Sequence, residues 1–454
     1  MRPSIWRSVA GCLLMVGAGP VPLVPFQRYT LANGLTVIFA PNHDVPTVTV
    51  DVTYHVGSKN ERPGRTGFAH LFEHVMFTGS GHVPYGMQDR LTEGVGGMGD
   101  AMTHYDRTSF FESVPSNYLE DALWLESDRM GFLLDSLTQA KLDNQRDVVK
   151  NERRQHIDNQ PYGRNTELID AALYPPDYPY RWLILGSMAD LSAASLDDVR
   201  QFFRRWYGPE NATLTIAGDF DPRQATVWVR RYFADLARGS APATRPAVAP
   251  IRLAAKRRLT YQDRVPSPQL TLAWPTVGES SPERPALEIL GDLLGVERTS
   301  RLTATLVYER GAAAEVVAVE HANESAGEFV ITMTPTPGHT LTELEAAADS
   351  VIDRLRREGP TADEVQRATA ERAFFNIRNL ESNMGRARAL STGQVFHDDP
   401  DFVTKDVARM RALTPHDVQR VAERYLSRGR VTLSVVPIGQ LGAASHPDQS
   451  TEVH

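Results

Sequence analysis

The sequence predicts an α+β fold built twice, as two structurally related domains. Three observations carry this. Short runs of β-branched residues alternate with amphipathic helical stretches along most of the chain. Several local signals recur in the same order about 220 residues apart. An Ala- and Pro-rich stretch without aromatic residues, 237–257, divides the 454 residues into halves of similar size and reads as a linker.

The elements follow in order. Tyr29-Thr30-Leu31 and Leu35-Thr36-Val37-Ile38-Phe39 flank Asn33-Gly34, a strong hairpin signal. Thr47 to Val56 is rich in β-branched residues and predicts a strand. From Gly64 to Phe77 the pairs Leu71/Val75 and Phe72/Met76 stand at i,i+4 spacing and predict a helix. Asn117 to Leu134, Ala140 to His156 and Leu196 to Tyr207 predict three more helices, and Thr213 to Ile216 another strand. Glu61-Arg62-Pro63 then recurs 222 residues later as Glu283-Arg284-Pro285. Asp198-Val199 before Trp206 recurs 219 residues later as Asp417-Val418 before Tyr425, and Thr213-Leu214-Thr215-Ile216 as Thr432-Leu433-Ser434-Val435. A nearly constant offset over several ordered matches indicates an internal duplication. The expected domains are 26–236 and 258–437, with a flexible polar tail over 438–454.

Residues 1–25 place Arg2 and Arg7 ahead of an apolar run free of acids, as in a secretory signal peptide. An exported protein, periplasmic or secreted, is expected. No later stretch approaches the roughly 20 apolar residues needed to span a bilayer, so no stable membrane span is expected. With 48 Lys and Arg against 56 Asp and Glu, the net charge is −8, which disfavours nucleic acid as a partner. The single cysteine, Cys12, excludes a disulfide framework and any Cys-rich metal site. A bound metal must therefore use His, Asp or Glu.

One five-residue stretch carries the chemistry: His70-Leu71-Phe72-Glu73-His74. On a helix, residues four apart leave the same face, so both imidazoles can grip one divalent ion from one side. Glu73 stands near that face, placed to take a proton from an attacking water. The order is the inverted form of the common zinc-peptidase motif. A site with three protein ligands and one open position needs a third ligand. Glu152, on a second predicted helix, is the best candidate; His82, His104 and His156 are weaker alternatives. A His2Glu set suits Zn2+.

The segment Gly67-Phe68-Ala69-His70-Leu71-Phe72-Glu73-His74-Val75-Met76-Phe77 resembles the active-site helix of the insulinase/pitrilysin family of zinc peptidases, which includes the mitochondrial processing peptidase. Arg146-Asp147-Val148-Val149-Lys150-Asn151-Glu152-Arg153 resembles the family segment that holds the third ligand. The resemblance runs over nearly all of 26–437, duplication included. It implies that His70, His74 and Glu152 bind zinc and that Glu73 is the catalytic base. It also implies a zinc endopeptidase acting on peptides or unfolded segments, with the chain forming half of a four-domain chamber. The second half-molecule would then come in trans, from a homodimer or from a heterodimer with a non-catalytic partner. In family members the opposite half supplies an Arg and a Tyr that orient the substrate. Gly327 to Thr332 holds no Arg, which favours the heterodimer.

Two departures stand out. Gln145 occupies a position where the family often has a supporting Glu. Asp100, in Gly99-Asp100-Ala101, replaces an Asn of the strand that docks substrate, and adds negative charge to the cleft. In the second half, His70 to His74 map onto Asp292 to Val296, and Glu152 onto Glu371, so only the first domain, 26–236, is expected to be catalytic and 258–437 is the related non-catalytic domain. The competing readings are a catalytically silent structural or partner subunit, and a metal-dependent hydrolase of a non-peptide substrate.

Overall fold

The computed structural model describes residues 22–240, 251–295, 297–426 and 429–454. Nearly all of the expected signal peptide, and residues 241–250 of the expected linker, lie outside the described residues. Two six-stranded mixed sheets organise the molecule. The first contains β1 (Gln27–Thr30), β2 (Thr36–Pro41), β3 (Thr47–Tyr54), β4 (Met98–Thr103), β5 (Thr108–Pro115) and β6 (Ala212–Gly218), in the order β1-β2-β6-β3-β5-β4. The second contains β7 (Arg257–Asp263), β8 (Gln269–Val277), β9 (Ala313–Ala322), β10 (Ala326–Pro335), β11 (Val431–Pro437) and β12 (Thr451–Val453), in the order β12-β7-β11-β8-β10-β9.

The two orders correspond over five strands, β2-β6-β3-β5-β4 and β7-β11-β8-β10-β9, and differ at the outermost one, β1 being antiparallel to β2 and β12 parallel to β7. β2 runs parallel to β6 as β7 does to β11, and β3 and β8 are antiparallel to both of their neighbours. The repeated segments Thr213–Ile216 and Thr432–Val435 therefore sit at the same place in each sheet. The Asn-Gly signal is also a real hairpin: β1 pairs with β2 from Gln27↔Phe39 to Thr30↔Thr36. Gly34 holds φ at +95° there, and a Cβ would meet Glu210 Cβ at 2.7 Å.

Helices α1 (Phe68–Val75), α2 (Met87–Thr92), α3 (Leu119–Ser136), α4 (Gln139–Arg153), α5 (Asn165–Leu173), α6 (Met188–Ala193), α7 (Leu196–Trp206) and α8 (Pro222–Phe233) belong to the first half. The second half supplies α9 (Arg284–Gly295), α10 (Leu341–Glu358), α11 (Ala362–Asn379), α12 (Asn383–His397), α13 (Phe402–Arg411) and α14 (Pro415–Tyr425). Each half has its main core on one face of its sheet. Val50, Val52, Leu71, Phe72, Leu123 and Val199 lie in the first core, and Leu272, Leu287, Leu290, Phe329, Leu344 and Val418 in the second.

The opposite faces are covered by an exchange. α12, from the second half, packs on β3, β6 and β2, where its Ala387 and Leu390, with Leu380 just ahead of it, meet Ile38 and Ala40 of β2 and Ala217 of β6. α5, from the first half, packs on β8 and β11, where Leu168, Ile169 and Leu173 meet Ala273, Leu433 and Val435. Shifted by the 219-residue offset, α5 falls within α12. The duplication thus includes a reciprocal loan of one helix, and each sheet is buried on both faces through its central strands.

The expected helices form with small end shifts. Gly64 to Phe77 narrows to α1, because Gly64 and Gly67 take positive φ and the backbone turns into the helix only after Gly67. The expectation of a loose tail over 438–454 is corrected. Ser445 is buried and donates through Oγ to Glu345, and β12 adds to the outer edge of β7 in parallel. An exposed strand edge and a buried carboxylate both need partners, and this segment provides them.

Candidate metal centre

α1 is held by its apolar side. Phe72 stacks against Phe202, Phe203 and Tyr207 at 5.5, 6.0 and 5.2 Å between ring centroids, and Leu71 and Val75 are fully buried. Its N-terminus is fixed by a buried carboxylate: Glu61 accepts the Gly67 and Ala69 backbone N–H groups, both at 2.8 Å. Such a pair of bonds satisfies orphan amides at the start of the helix, while burial, against these two bonds, pushes the Glu61 carboxyl up to about 8. Gly67 has φ +86°, and a Cβ there would lie 2.8 Å from the Leu185 carbonyl oxygen. The remaining side of α1 presents His70, Glu73 and His74 toward α4 and β4.

α4 delivers the third residue. Thr138 caps it by accepting the Lys141 N–H, and Leu142, Val149 and Arg153 are buried beneath it. Arg153 donates to Glu167 at 2.8 Å and to the Gly186 carbonyl at 2.5 Å, which pins the helix beside Glu152. Glu152 then reaches α1: Oε2 lies 3.1 Å from His74 Nε2, and Oε1 lies 3.7 Å from His70 Nε2. One ligand atom from each of His70, His74 and Glu152 lies within 4.8 Å of the others, the one such group among the described residues.

The electrostatics suit a cation. Burial, helped by His74 and His156, pushes His70 down to about 4 against the pull of Glu152, so its imidazole is neutral at pH 7 and has a lone pair to offer. Burial pushes Glu152 up, but the close approach of His74 and the nearby His70 and His156 imidazoles outweigh it and hold the carboxyl below its usual range. Glu152 Oε2 is buried, and the His74 Nε2 atom 3.1 Å from it is not aligned as a hydrogen-bond donor, an arrangement that fits two ligands of one cation. Two imidazoles and one carboxylate form a donor set that fits Zn2+.

Glu73 lies beside the group. Burial raises its carboxyl, Asp100 adds to the rise, and Thr103 and His74 oppose it. A cavity of ≈ 410 Å3 opens next to Glu73 and His74, lined also by Phe77, Tyr85, Asp100 and Gln145. β4, which carries Asp100, is the free edge of the first sheet, paired on one side only with β5.

The three weaker ligand candidates lie elsewhere or at the rim. His82 Nδ1 bonds Asp128 at 2.5 Å, and His104 sits with Arg107 and Arg388. His156 is exposed, with Nδ1 3.7 Å from Glu152 Oε1. Glu61 was not singled out for the site by sequence, although an acid just ahead of a Gly-initiated helix is a readable capping signal.

A duplicated fold with an inverted His-x-x-Glu-His helix defines a class, the zinc peptidases of the insulinase type, and the comparisons agree. The Insulinase (Peptidase family M16) model matches residues 36–176, and the Peptidase M16 inactive domain model matches 193–371. The chain belongs to the insulinase, or M16, peptidase family. Zinc protease PqqE of Helicobacter pylori is 27% identical, over 88% of this chain and 90% of that protein. An uncharacterized zinc protease of Streptomyces coelicolor is 26% identical over 90% of this chain and 89% of its own length. The crystal structure of a protease from Helicobacter pylori matches with a TM-score of 0.85 and 25% identity, covering 91% of this chain and all of that one. The periplasmic protease PqqL from Escherichia coli, at 18% identity and a TM-score of 0.75, shares the fold over 94% of this chain but only 48% of its own.

Proposed function

We propose that the protein is a zinc-dependent endopeptidase that cleaves peptides or unfolded segments, with His70, His74 and Glu152 as the metal ligands and Glu73 as the general base. The reading rests on one observation above the others: three ligand atoms from two helices meet within 4.8 Å, with an acid beside them on an open cavity. Zinc, when bound, supplies the Lewis acidity that polarises a scissile carbonyl and makes a water nucleophilic near neutral pH.

The chain's own residues do the rest. Glu73 accepts a proton from the attacking water and returns it to the leaving amine. Its partly buried carboxyl, raised in pKa, is suited to holding that proton between the two transfers. The free edge of β4 supplies backbone groups that pair with an extended substrate irrespective of its sequence. Only the first half carries the ligands; the match to an inactive-domain model falls mainly on the second half, where they are missing.

The cleft is completed by a second half-molecule in trans, a homodimer or a heterodimer with a non-catalytic partner. The chain's match to half of PqqL supports this, and the missing Arg in Gly327–Thr332 favours the heterodimer. Export to the periplasm or beyond fits the basic-then-apolar N-terminus. No helix among the described residues is long and apolar enough to cross a membrane. The test is hydrolysis of a fluorogenic peptide library by the purified chain, with and without chelator. Chelator-sensitive cleavage is expected; a zinc-loaded chain inert toward every peptide, alone and with its partner, contradicts the reading.

A further inference from the structure

We infer that the cavity beside Glu73 selects a basic side chain, Lys or Arg, next to the scissile bond, and that Asp100 is the residue that reads it. The inference rests on the endopeptidase reading and deepens it. The walls of the cavity are apolar where Phe77, Tyr85 and Val148 face it. Tyr85 is 76% exposed and Val148 41%, so apolar surface is on offer to a visitor rather than packed away. The polar groups at the cavity include three acceptors of the kind an ammonium or guanidinium needs, the carboxylates of Asp100 and Glu73 and the amide oxygen of Gln145, alongside His74 and Thr78.

No Lys or Arg lines the cavity, and Asp100 has no ion-pair partner among the described residues. One Asp100 oxygen accepts the N–H of Ala101 at 2.8 Å, which fixes the carboxylate and leaves its other oxygen open. A long side chain with an apolar stem and a charged tip matches this arrangement end to end. A carboxylate-tipped side chain would meet Asp100 and Glu73 as like charges. Asp100 also lies on β4, so a peptide paired along that edge passes its side chains directly by the cavity. An Asn at this position could both donate and accept and would carry no charge, so it could not favour one sign over the other.

The test uses the zinc-loaded full-length chain, with its partner if one is required. Quenched peptides differ only in one residue, Lys, norleucine or Glu, placed in turn at each position flanking the cleaved bond. At one position Lys is expected to exceed Glu in kcat/KM by about tenfold or more, with norleucine between. Asp100→Asn is expected to collapse the Lys-to-norleucine ratio toward unity, and Asp100→Lys to reverse the Lys-to-Glu order. If no position favours Lys, or if the preference survives Asp100→Asn, the inference is overturned. Binding of the same peptides to the zinc-loaded Glu73→Gln variant, read by fluorescence anisotropy, separates the two levels. Lys-selective binding without cleavage by the parent protein keeps the cavity's role and removes the peptidase. Cleavage without Lys-selective binding keeps the peptidase and removes the role of Asp100.

Discussion

The two halves share a strand order over five strands and differ at one helix–helix junction. In the first half, α1 meets α4 through His70, His74 and Glu152, with no cationic side chain between them. In the second, α9 meets α11 at the corresponding place through Asp292 and Arg372, with Arg372 Nε 3.0 Å from Asp292 Oδ2. Asp292 stands where the 222-residue offset puts His70, and Arg372 where the 219-residue offset puts Arg153. The second half thus neutralises its junction internally, while the first brings two imidazoles and a carboxylate together without such a pairing. The duplicated scaffold sets the distance between the helices; the side chains decide whether the junction is a bond or a binding site.

The comparison can be broken most forcefully at Glu73. Glu73→Gln should lower kcat by about 10²–10⁴-fold, the range general-base catalysis supplies, while zinc content stays at the parent level. A variant with normal turnover would remove Glu73 from the chemistry. Next in size, Glu152→Gln should weaken zinc retention by at least about tenfold in a chelator competition, whereas Glu371→Gln should leave it unchanged. Equal losses from both would mean that the halves are not distinct in metal binding.

A third test concerns the seam between halves. Glu324, in the turn after β9, bonds His55 Nε2 at 2.7 Å and also meets Lys59, which in turn reaches Asp106 at 2.6 Å. Burial raises the Glu324 carboxyl, but His55 and Lys59 outweigh it and bring it down to about 2. A folded-state value below the unfolded one gives stability that is fully present above about pH 4.5 and is lost as pH falls toward 2. The size is on the order of 3 kcal/mol. Urea midpoints measured between pH 6 and pH 3 should fall less steeply for Glu324→Gln than for the parent; parallel slopes would remove Glu324 as the linkage group. The smallest effect is expected at the second-half junction. Arg372→Ala should destabilise by about 1–3 kcal/mol, between the values for exposed and fully buried pairs, and a double-mutant cycle with Asp292→Ala should show coupling. Additive effects would mean the pair is incidental.

Much of this was legible in the chain. Asn33-Gly34 between apolar runs specified a hairpin, and the repeated Thr-Leu-Thr-Ile segment marked the matching central strands, because both are local signals. The pair His70 and His74 was legible because helical spacing alone puts them on one face. Glu152 was legible as a candidate on a second predicted helix, and the resemblance strengthened it, since no local pattern says which acid on a distant helix will turn toward α1. The exchange of α5 and α12 left no trace beyond ordinary amphipathicity: a helix face does not encode which sheet it will cover. The tail looked loose because its strand is only three residues long and its buried Ser445 is polar. Tyr85 and Asp100, far apart in sequence from Gln145, share a cavity through the fold alone.

The central claim is that one junction of the two binds metal. Crystals of the zinc-loaded protein, measured on both sides of the zinc absorption edge, test it most directly. The account predicts a single strong anomalous peak in each chain, lying between His70, His74 and Glu152, and none at Asp292 and Arg372. A featureless map at the first junction, or a peak ligated by other residues, would contradict it.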